Sequence, residues 1–427
     1  MRILLAAILV LFFTPALNAT DLIRSGGGAG NEGVAGVLGL SSDALSGING
    51  NPALLRGLED GQVLSLSILT VDSVFTSGNG EVSKADEGPG LMPQFALKRQ
   101  VSDDNWSWGA GFSVQSAMQA DFSFVDPAGT LGVSYGRQTH RSEFLIAKAS
   151  GALSYQVTPE LAVGISLEAH YNRNQLQAPY IFQSHPVLAG LKVLVDLDAD
   201  DLQLGTSVGL VFTPQGDWSF NLAWSPEIDF SADGDISGNL AQLGLGIQET
   251  FNYKARVETG KPEKLILGAS WQVADRVLLG LQYDRIQWSS VFRDLPIMLT
   301  EGSNGDLNAF LGENLITDVA PLNWRNQDTW HFGLQYLLPS GTLLRFGYED
   351  SEVPVPSATI TPMTAATLDR AITVGASIQL AGRDIDLAYR YSDSDRFNVG
   401  DSALLGGEYD NTSQTLNLHT VNLSIRF

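Results

Sequence analysis

The most regular feature of the chain is alternation. At its end, Val421, Leu423, Ile425 and Phe427 are apolar, and Thr420, Asn422, Ser424 and Arg426 between them are polar. In 264–273, Leu265, Leu267, Ala269, Trp271 and Val273 stand against Gly268, Ser270 and Gln272. In 329–338, Trp330, Phe332, Leu334, Tyr336 and Leu338 stand against His331, Gly333 and Gln335. Successive side chains of a strand point to opposite faces, so each segment predicts a strand with one apolar and one polar face. Fourteen such segments can be drawn, over 62–72, 93–101, 105–119, 144–158, 160–171, 201–214, 216–228, 261–273, 276–288, 326–338, 342–350, 369–381, 383–393 and 416–427. A strand of about 11 residues tilted by about 40° rises roughly 27 Å, the depth of a bilayer core.

The connections carry a second pattern. Those at 102–105, 158–160, 214–217, 274–276, 339–341 and 381–383 are tight and rich in Gly, Pro and Asp, as hairpin turns require. Long connections separate them, in strict alternation. This predicts an all-β fold, a 14-stranded antiparallel transmembrane barrel with both ends on the periplasmic side. A soluble sandwich has no reason to gather its long loops at one end. Trp106, Trp108, Trp218, Trp224, Trp271, Trp288 and Trp330 fall near strand ends or on apolar faces, where interfacial girdles lie.

Composition narrows the function. The chain has 427 residues, with 25 Lys+Arg against 47 Asp+Glu and a formal net charge of −22. That excludes a nucleic-acid partner, because neutralising phosphates takes a basic surface. With no cysteine there is no disulfide framework, thiol catalysis or thiolate metal site. Beyond the N-terminus no apolar run approaches the ~20 residues of a membrane helix. The mean hydropathy of +0.03 is what a barrel gives, apolar toward lipid and polar inside. Residues 1–19 have a basic Arg2, an apolar run from Ile3 to Phe13, then Pro15 and small residues up to Ala19. This predicts a cleaved secretory signal, a run too short to span, and the envelope of a Gram-negative bacterium.

Several motifs carry no chemistry. Gly28, Gly30 and Gly33 match G-x-G-x-x-G but follow no strand of a βαβ unit. Asp196, Asp198, Asp200 and Asp201 lack the Gly and Glu of a calcium loop, so a solvated acidic segment is expected, with divalent ions bound at a lipopolysaccharide surface as the alternative. The five histidines lack metal spacing, so no metal and no cofactor are expected. No serine sits in a hydrolase motif, and no enzyme activity is expected.

The segment from Ser25 to Leu58 resembles the N-terminal plug of the long-chain fatty acid transporter family of outer membranes. The resemblance rests on Asn51-Pro52-Ala53, preceded by small residues and Asp43. Matches continue at 106–122, similar to the family's third strand, at 279–289, and at 343–356 with Asp369-Arg370. The alternating end of the chain, Val421, Leu423, Ile425 and Phe427, resembles the insertion signal of outer-membrane proteins. The resemblance implies a signal at 1–19, a plug at 20–61 and a barrel at 62–427. It also implies gated uptake of hydrophobic molecules, foremost long-chain fatty acids, captured by extracellular loops and released sideways through the third strand after plug movement. The implied partners are such ligands, outer-membrane lipid and lipopolysaccharide, and the barrel-assembly machinery during insertion; a monomer is expected. A water-filled porin and an adhesive surface barrel are the alternatives.

The residues fit such a route. Two connections are apolar for surface loops: 179–195 with Tyr180, Ile181, Phe182, Val187, Leu188 and Leu191, and 240–251 with Leu243, Leu245 and Phe251. An exposed apolar patch marks a docking site, although the same residues could pack together as a lid. Asn51 is biased to extended backbone by Pro52, and its amide can donate and accept. The place of a lateral opening is expected around Gln115, Ser116 and Ala117, without the glycine common in the family. Arg173, at the top of the fifth strand, is a candidate contact for a carboxylate. Arg345, Arg390, Glu168, Asp284, Glu349, Asp384 and Asp386 are expected in the lumen, where opposite charges pair.

Overall fold

The computed structural model describes residues 27–40, 43–86, 88–101, 105–129, 132–244, 246 and 248–427. The expected signal at 1–19 lies outside them. Fourteen strands form the wall: β1 Gly61–Thr76, β2 Gly90–Gln100, β3 Trp106–Val125, β4 Arg137–Thr158, β5 Leu161–Ile181 and β6 Lys192–Phe212. Next come β7, Trp218–Ser225 continued by Ile228–Asn239, and β8, Thr250–Lys261 continued by Lys264–Ala274. The circle continues with β9 Val277–Ile286, β10 Gln327–Leu337, β11 Leu343–Ser351, β12 Arg370–Leu380, β13 Arg383–Asp393 and β14 Ser413–Arg426. Neighbours pair antiparallel, and β14 closes on β1 from Val63↔Arg426 to Thr76↔Ser413. Closure leaves no edge, the condition for strands to cross a bilayer. Among the described residues no helix is long and apolar enough to cross a membrane.

The outward-facing set gives the membrane level. On β6, Leu202 and Leu204 are 64% and 71% exposed, and Phe212 lies near the short turn below. Trp218 stacks on Trp271 at 5.2 Å and Trp106 packs on Tyr155 at 4.6 Å, a girdle at the short-turn end. Higher up, Trp330 lies 5.0 Å from Tyr283 and Tyr391 lies 5.1 Å from His419.

The strands run further than alternation suggests, and always at the end with long connections. In β6 the outward positions change from Leu204 and Leu202 to Asp200, Asp198 and Asp196, while Ala199, Leu197 and Val195 point inward and are buried. Above the membrane the outside is water and the inside is apolar, so the polarity of the two faces reverses. A search for apolar outward faces stops at that level, which is why the strand ends at 179–181 and 192–195 read as loop. Pro226 and Pro262 divide β7 and β8 at similar heights. A hairpin of strands Asp294–Thr300 and Leu315–Pro321 adds to the upper part of β8 through Lys254–Val257.

Inside the lower barrel sit α1 Gly28–Glu32, a 3-10 turn Leu38–Leu40, α2 Ala44–Asn49 and a 3-10 turn Pro52–Gly57. Asp43 caps α2 by accepting from the backbone of Leu45 and Ser46.

Candidate functional site: a plugged barrel with an apolar cavity

Above the plug lies a cavity of about 290 Å³. Its walls are apolar and aromatic: Met118, Phe122 and Phe144 on β3 and β4, Ile286 on β9, and Phe292 and Trp324 beyond β9. Phe292 packs on Phe144 at 5.5 Å and on Trp324 at 4.9 Å. The floor is the plug turn at Glu32, Ala35 and Gly36 beside a charged network. Arg390 Nη2 lies 2.8 Å from Glu349 Oε1, and His331 Nδ1 lies 3.2 Å from Glu349 Oε2. His331 Nε2 lies 3.5 Å and Lys264 Nζ 3.1 Å from Asp284. The same His331 Nδ1 is 2.7 Å from the Ala35 carbonyl, so the network also holds the plug turn. Each of these basic side chains has a carboxylate beside it.

The plug is fastened around the whole wall. Asn51 uses its complete amide: Oδ1 accepts from Ala53 N–H at 2.9 Å, and Nδ2 donates to the Leu210 and Leu222 carbonyls at 3.2 and 3.1 Å. It thereby ties the plug to β6 and β7. The Ser154 hydroxyl donates to the Ala53 carbonyl at 3.0 Å, and Pro52 opens the 3-10 turn, where a missing N–H is harmless. Further bonds run from Ala29 N–H to Ser424 Oγ, Ala35 N–H to Thr373 Oγ1 and Leu38 N–H to Gln282 Oε1. The turn lies so close to the wall that two strand positions need glycine. A Cβ on Gly209 would stand 1.8 Å from Asn51 Oδ1, and one on Gly164 would stand 2.3 Å from Ala53 N. These residues face each other on β5 and β6. Sequence reasoning missed them; the available signal was inward-facing glycine within a strand.

The wall is interrupted beside the cavity. β2 and β3 are in register only from Gln94↔Ser113 to Gln100↔Ser107. Above Ser113 the register on β2 is lost, and contact resumes where Asp86 N–H donates to the Asp121 carbonyl at 2.9 Å. On its other side β3 bulges, since Val114 pairs with Ala147 and Ser116 with Ile146, leaving Gln115 as an extra residue. Pro93, next to the last paired residue of β2, has no N–H to offer a ladder. It was also missed, although proline inside a strand pattern points to such a break. Buried Gln115 Oε1, Ser116 Oγ and Gln119 Oε1 have no hydrogen-bond partner among the described residues. Gln119 and Met118 line the cavity itself.

The profile of the outer membrane protein transport protein family (OMPP1/FadL/TodX) matches residues 25–427. The chain belongs to this family. A search of curated proteins finds no match. Among solved structures it is similar to the Pseudomonas putida toluene transporter TodX, at 20% identity and a TM-score of 0.75 over 94% of this chain and 98% of that one. It is also similar to a Pseudomonas aeruginosa FadL homologue, at 18% identity and 0.74 over 96% and 99%. The Ralstonia pickettii toluene transporter TbuX follows at 17% and 0.69, over 94% and 99%. These likenesses establish the fold. As a FadL/TodX-family protein the chain is an integral outer-membrane transport protein of a Gram-negative bacterium, not an enzyme.

In this FadL/TodX-type barrel the long connections and strand extensions are extracellular, and most loop residues expected to form an open groove are closed. Phe182, Leu188 and Phe251 are buried in one apolar cluster with Val195, Leu197, Tyr253 and Ile297, and Tyr180, Leu191 and Leu243 pack against it. The cluster fills the space under the reversed faces of β6 to β8, so the lid reading describes it better than an exposed groove. Tyr180 and Ile181 reach the main cavity, Val187 is exposed, and Leu245 lies outside the described residues. Arg173 is a correction: it faces outward on β5 and is bonded to Asp198, with Nη2 2.8 Å from Oδ2. Its strand parity, opposite to Glu168 and Asn172, keeps it from the lumen. Val421 and Leu423 on β14 and Phe427 just beyond it are exposed on the outer face, and the Arg383 guanidinium lies 5.3 Å from the Phe427 ring. Among the described residues no group of three or more His, Cys, Asp or Glu is placed to hold a metal ion.

The extracellular roof is a buried ionic knot. Lys192 Nζ lies 2.8 Å from Asp126 and 2.7 Å from Glu408, and Glu408, Tyr409 and Leu404 line the cavity from above. The Glu408 carboxyl is pushed up to about 7, chiefly by burial and against the pull of the Lys192 ammonium; Asp126 and Tyr409 also face it. The closed roof thus holds a proton more tightly than a free segment would. Its extra stability is present below the ordinary glutamate range and is lost as pH rises through about 7. Hydrogen exchange of 399–412, corrected for the intrinsic rate, is expected to show more opening at pH 8 than at pH 5.5. Glu408→Gln should remove the difference; an unchanged pH dependence in that variant would contradict this origin.

Proposed function

We propose that the protein takes up hydrophobic molecules across the outer membrane. The ligand passes beneath the extracellular roof into the aromatic cavity and leaves sideways through the interrupted wall beside β3, with the plug blocking the direct route to the periplasm. The single observation that carries this reading is the adjacency of an apolar cavity, closed below by the plug, to a wall where β2 and β3 part above Gln94↔Ser113 and β3 bulges at Gln115. A side exit lets an apolar molecule pass into lipid without meeting water. A steadily open porin is the poorer reading, because the plug is bonded all round the lumen.

The geometry favours neutral hydrocarbons. Arg390, His331 and Lys264 at the floor already have Glu349 and Asp284 beside them, and a buried carboxylate without its own partner is costly. Two of the similar structures, TodX and TbuX, bear the names of toluene transporters. Long-chain fatty acids form the second reading, supported by the same cations at the cavity floor. Initial uptake of labelled toluene and labelled oleate by a deletion strain, with and without the protein restored, tests both. Restoration should raise toluene uptake at least several-fold. A selective rise for oleate would favour the second reading, and no rise for either would overturn the transport proposal.

A further inference from the structure

A cluster of hydrogen-bond donors gathers on one carboxylate just above the cavity. Asp318, on the outer hairpin strand Leu315–Pro321, is 2% exposed. Its oxygens accept from three consecutive backbone amides at the end of β5: Gln183 N at 2.8 Å, Ser184 N at 2.6 Å and His185 N at 3.1 Å. The Ser184 hydroxyl donates at 3.0 Å and the Tyr180 hydroxyl at 2.6 Å. Successive amides converging in this way form a concave anion site. The surroundings would suit an amphiphile. Tyr180 and Gln183 line the main cavity, while Tyr180, Phe182 and Asp318 line a small apolar space of about 20 Å³ with Leu197 and Phe251. A carboxylate held there would have apolar side chains on both sides for its tail.

We propose that Asp318 is a specificity-determining residue: it occupies a ready-made carboxylate site at the mouth of the cavity and so biases the protein toward neutral hydrophobic molecules and against fatty acids. The inference rests on the transport reading above. The donors have no net charge of their own, so their selectivity is for a carboxylate's paired oxygens. With the Asp318 side chain held against the end of β5 by the fold, the local concentration of competitor is high, and a free acid must displace it. Removing the side chain leaves five donors without their acceptor, those of Tyr180, Gln183 and His185 on partly or fully buried residues and the two of Ser184 on an exposed one, which favours binding a carboxylate from outside.

The test uses the full barrel with Asp318→Ala, checked by heat-modifiable mobility. Should that variant not assemble, Asp318→Ser carries the same comparison. Acetate, and laurate at lower concentration, should restore hydrogen-exchange protection to the amides of Gln183, Ser184 and His185 in the variant and leave the natural protein unchanged. In cells, the ratio of laurate to toluene uptake should rise at least fivefold over that of the natural protein. Asp318→Asn, which keeps one acceptor oxygen in the site but sets its amide NH2 group against the remaining donors, should give a smaller rise. Absence of acetate or laurate protection, or an unchanged uptake ratio with the barrel intact, would overturn the assignment. If neither compound is taken up by the natural protein, the transport reading fails, and the protection measurement still decides whether the site accepts a carboxylate.

Discussion

Gly209→Val should convert the closed barrel into a leaking one. Valine suits a strand, so β6 itself should form normally. Its Cβ, however, would stand 1.8 Å from Asn51 Oδ1 and 3.1 Å from Pro52 Cδ, and the plug turn has to leave the wall. Both bonds from Asn51 Nδ2, to the Leu210 and Leu222 carbonyls, go with it. Each buried group left unsatisfied costs about 1–3 kcal/mol, so losing two shifts plug closure by a factor of tens or more. In planar bilayers the natural protein should stay closed and the variant should carry a steady current. Asn51→Ala should leak less, because it removes the bonds without the collision, and Pro52→Ala less again. A Gly209→Val barrel that is heat-modifiable and still closed would show that the Asn51 contact does not seal the lumen.

The second large effect is expected from deleting one residue, Gln115. The bulge places Gln115 as the extra residue between the pairs Val114↔Ala147 and Ser116↔Ile146. Its removal makes the ladder with β4 continuous while every residue above keeps its partner and its face. A continuous ladder straightens β3 and draws it toward β2. Uptake should fall at least tenfold, with unchanged conductance and an intact barrel. Glycine at position 116 should act in the opposite sense and ease the opening. Unimpaired uptake by the deletion variant would place the exit elsewhere in the wall.

How much of this could be read in the residues differs from part to part. The fourteen strands and their short turns were legible because lipid and lumen impose opposite demands on neighbouring side chains, and period two records that directly. The upper halves of β4 to β8 were not, because above the membrane the two demands change places. Phe182 and Leu188 lie in the loop between β5 and β6 as read, but that they are buried in a core shows only in the fold. The triplet Asn51-Pro52-Ala53 was visible as a plug feature through resemblance, but its wall partners Gly164 and Gly209 were not. A glycine opposite a plug and a glycine in a slack strand look alike along one chain. The stretch Gln115–Ala117 was marked as the opening by resemblance, Pro93 carried a signal that went unread, and the bulge emerges only from register.

The sequence by itself determined the class of the molecule. Alternation, turn spacing and the apolar-aromatic end of the chain suffice, because each is a local response to a bilayer that surrounds the protein everywhere alike. Tertiary structure alone decided which groups meet: Arg173 with Asp198 on the outside, His331 with Glu349 and the plug carbonyl of Ala35 within, Asp318 with the amides of Gln183 to His185. Such pairs join residues far apart in the chain, and a charged or polar residue looks the same in sequence whatever it bonds to. Whether it is left to receive a ligand is set by barrel closure and register, and in this barrel the carboxylate-binding groups at the cavity are already occupied by the protein's own acids.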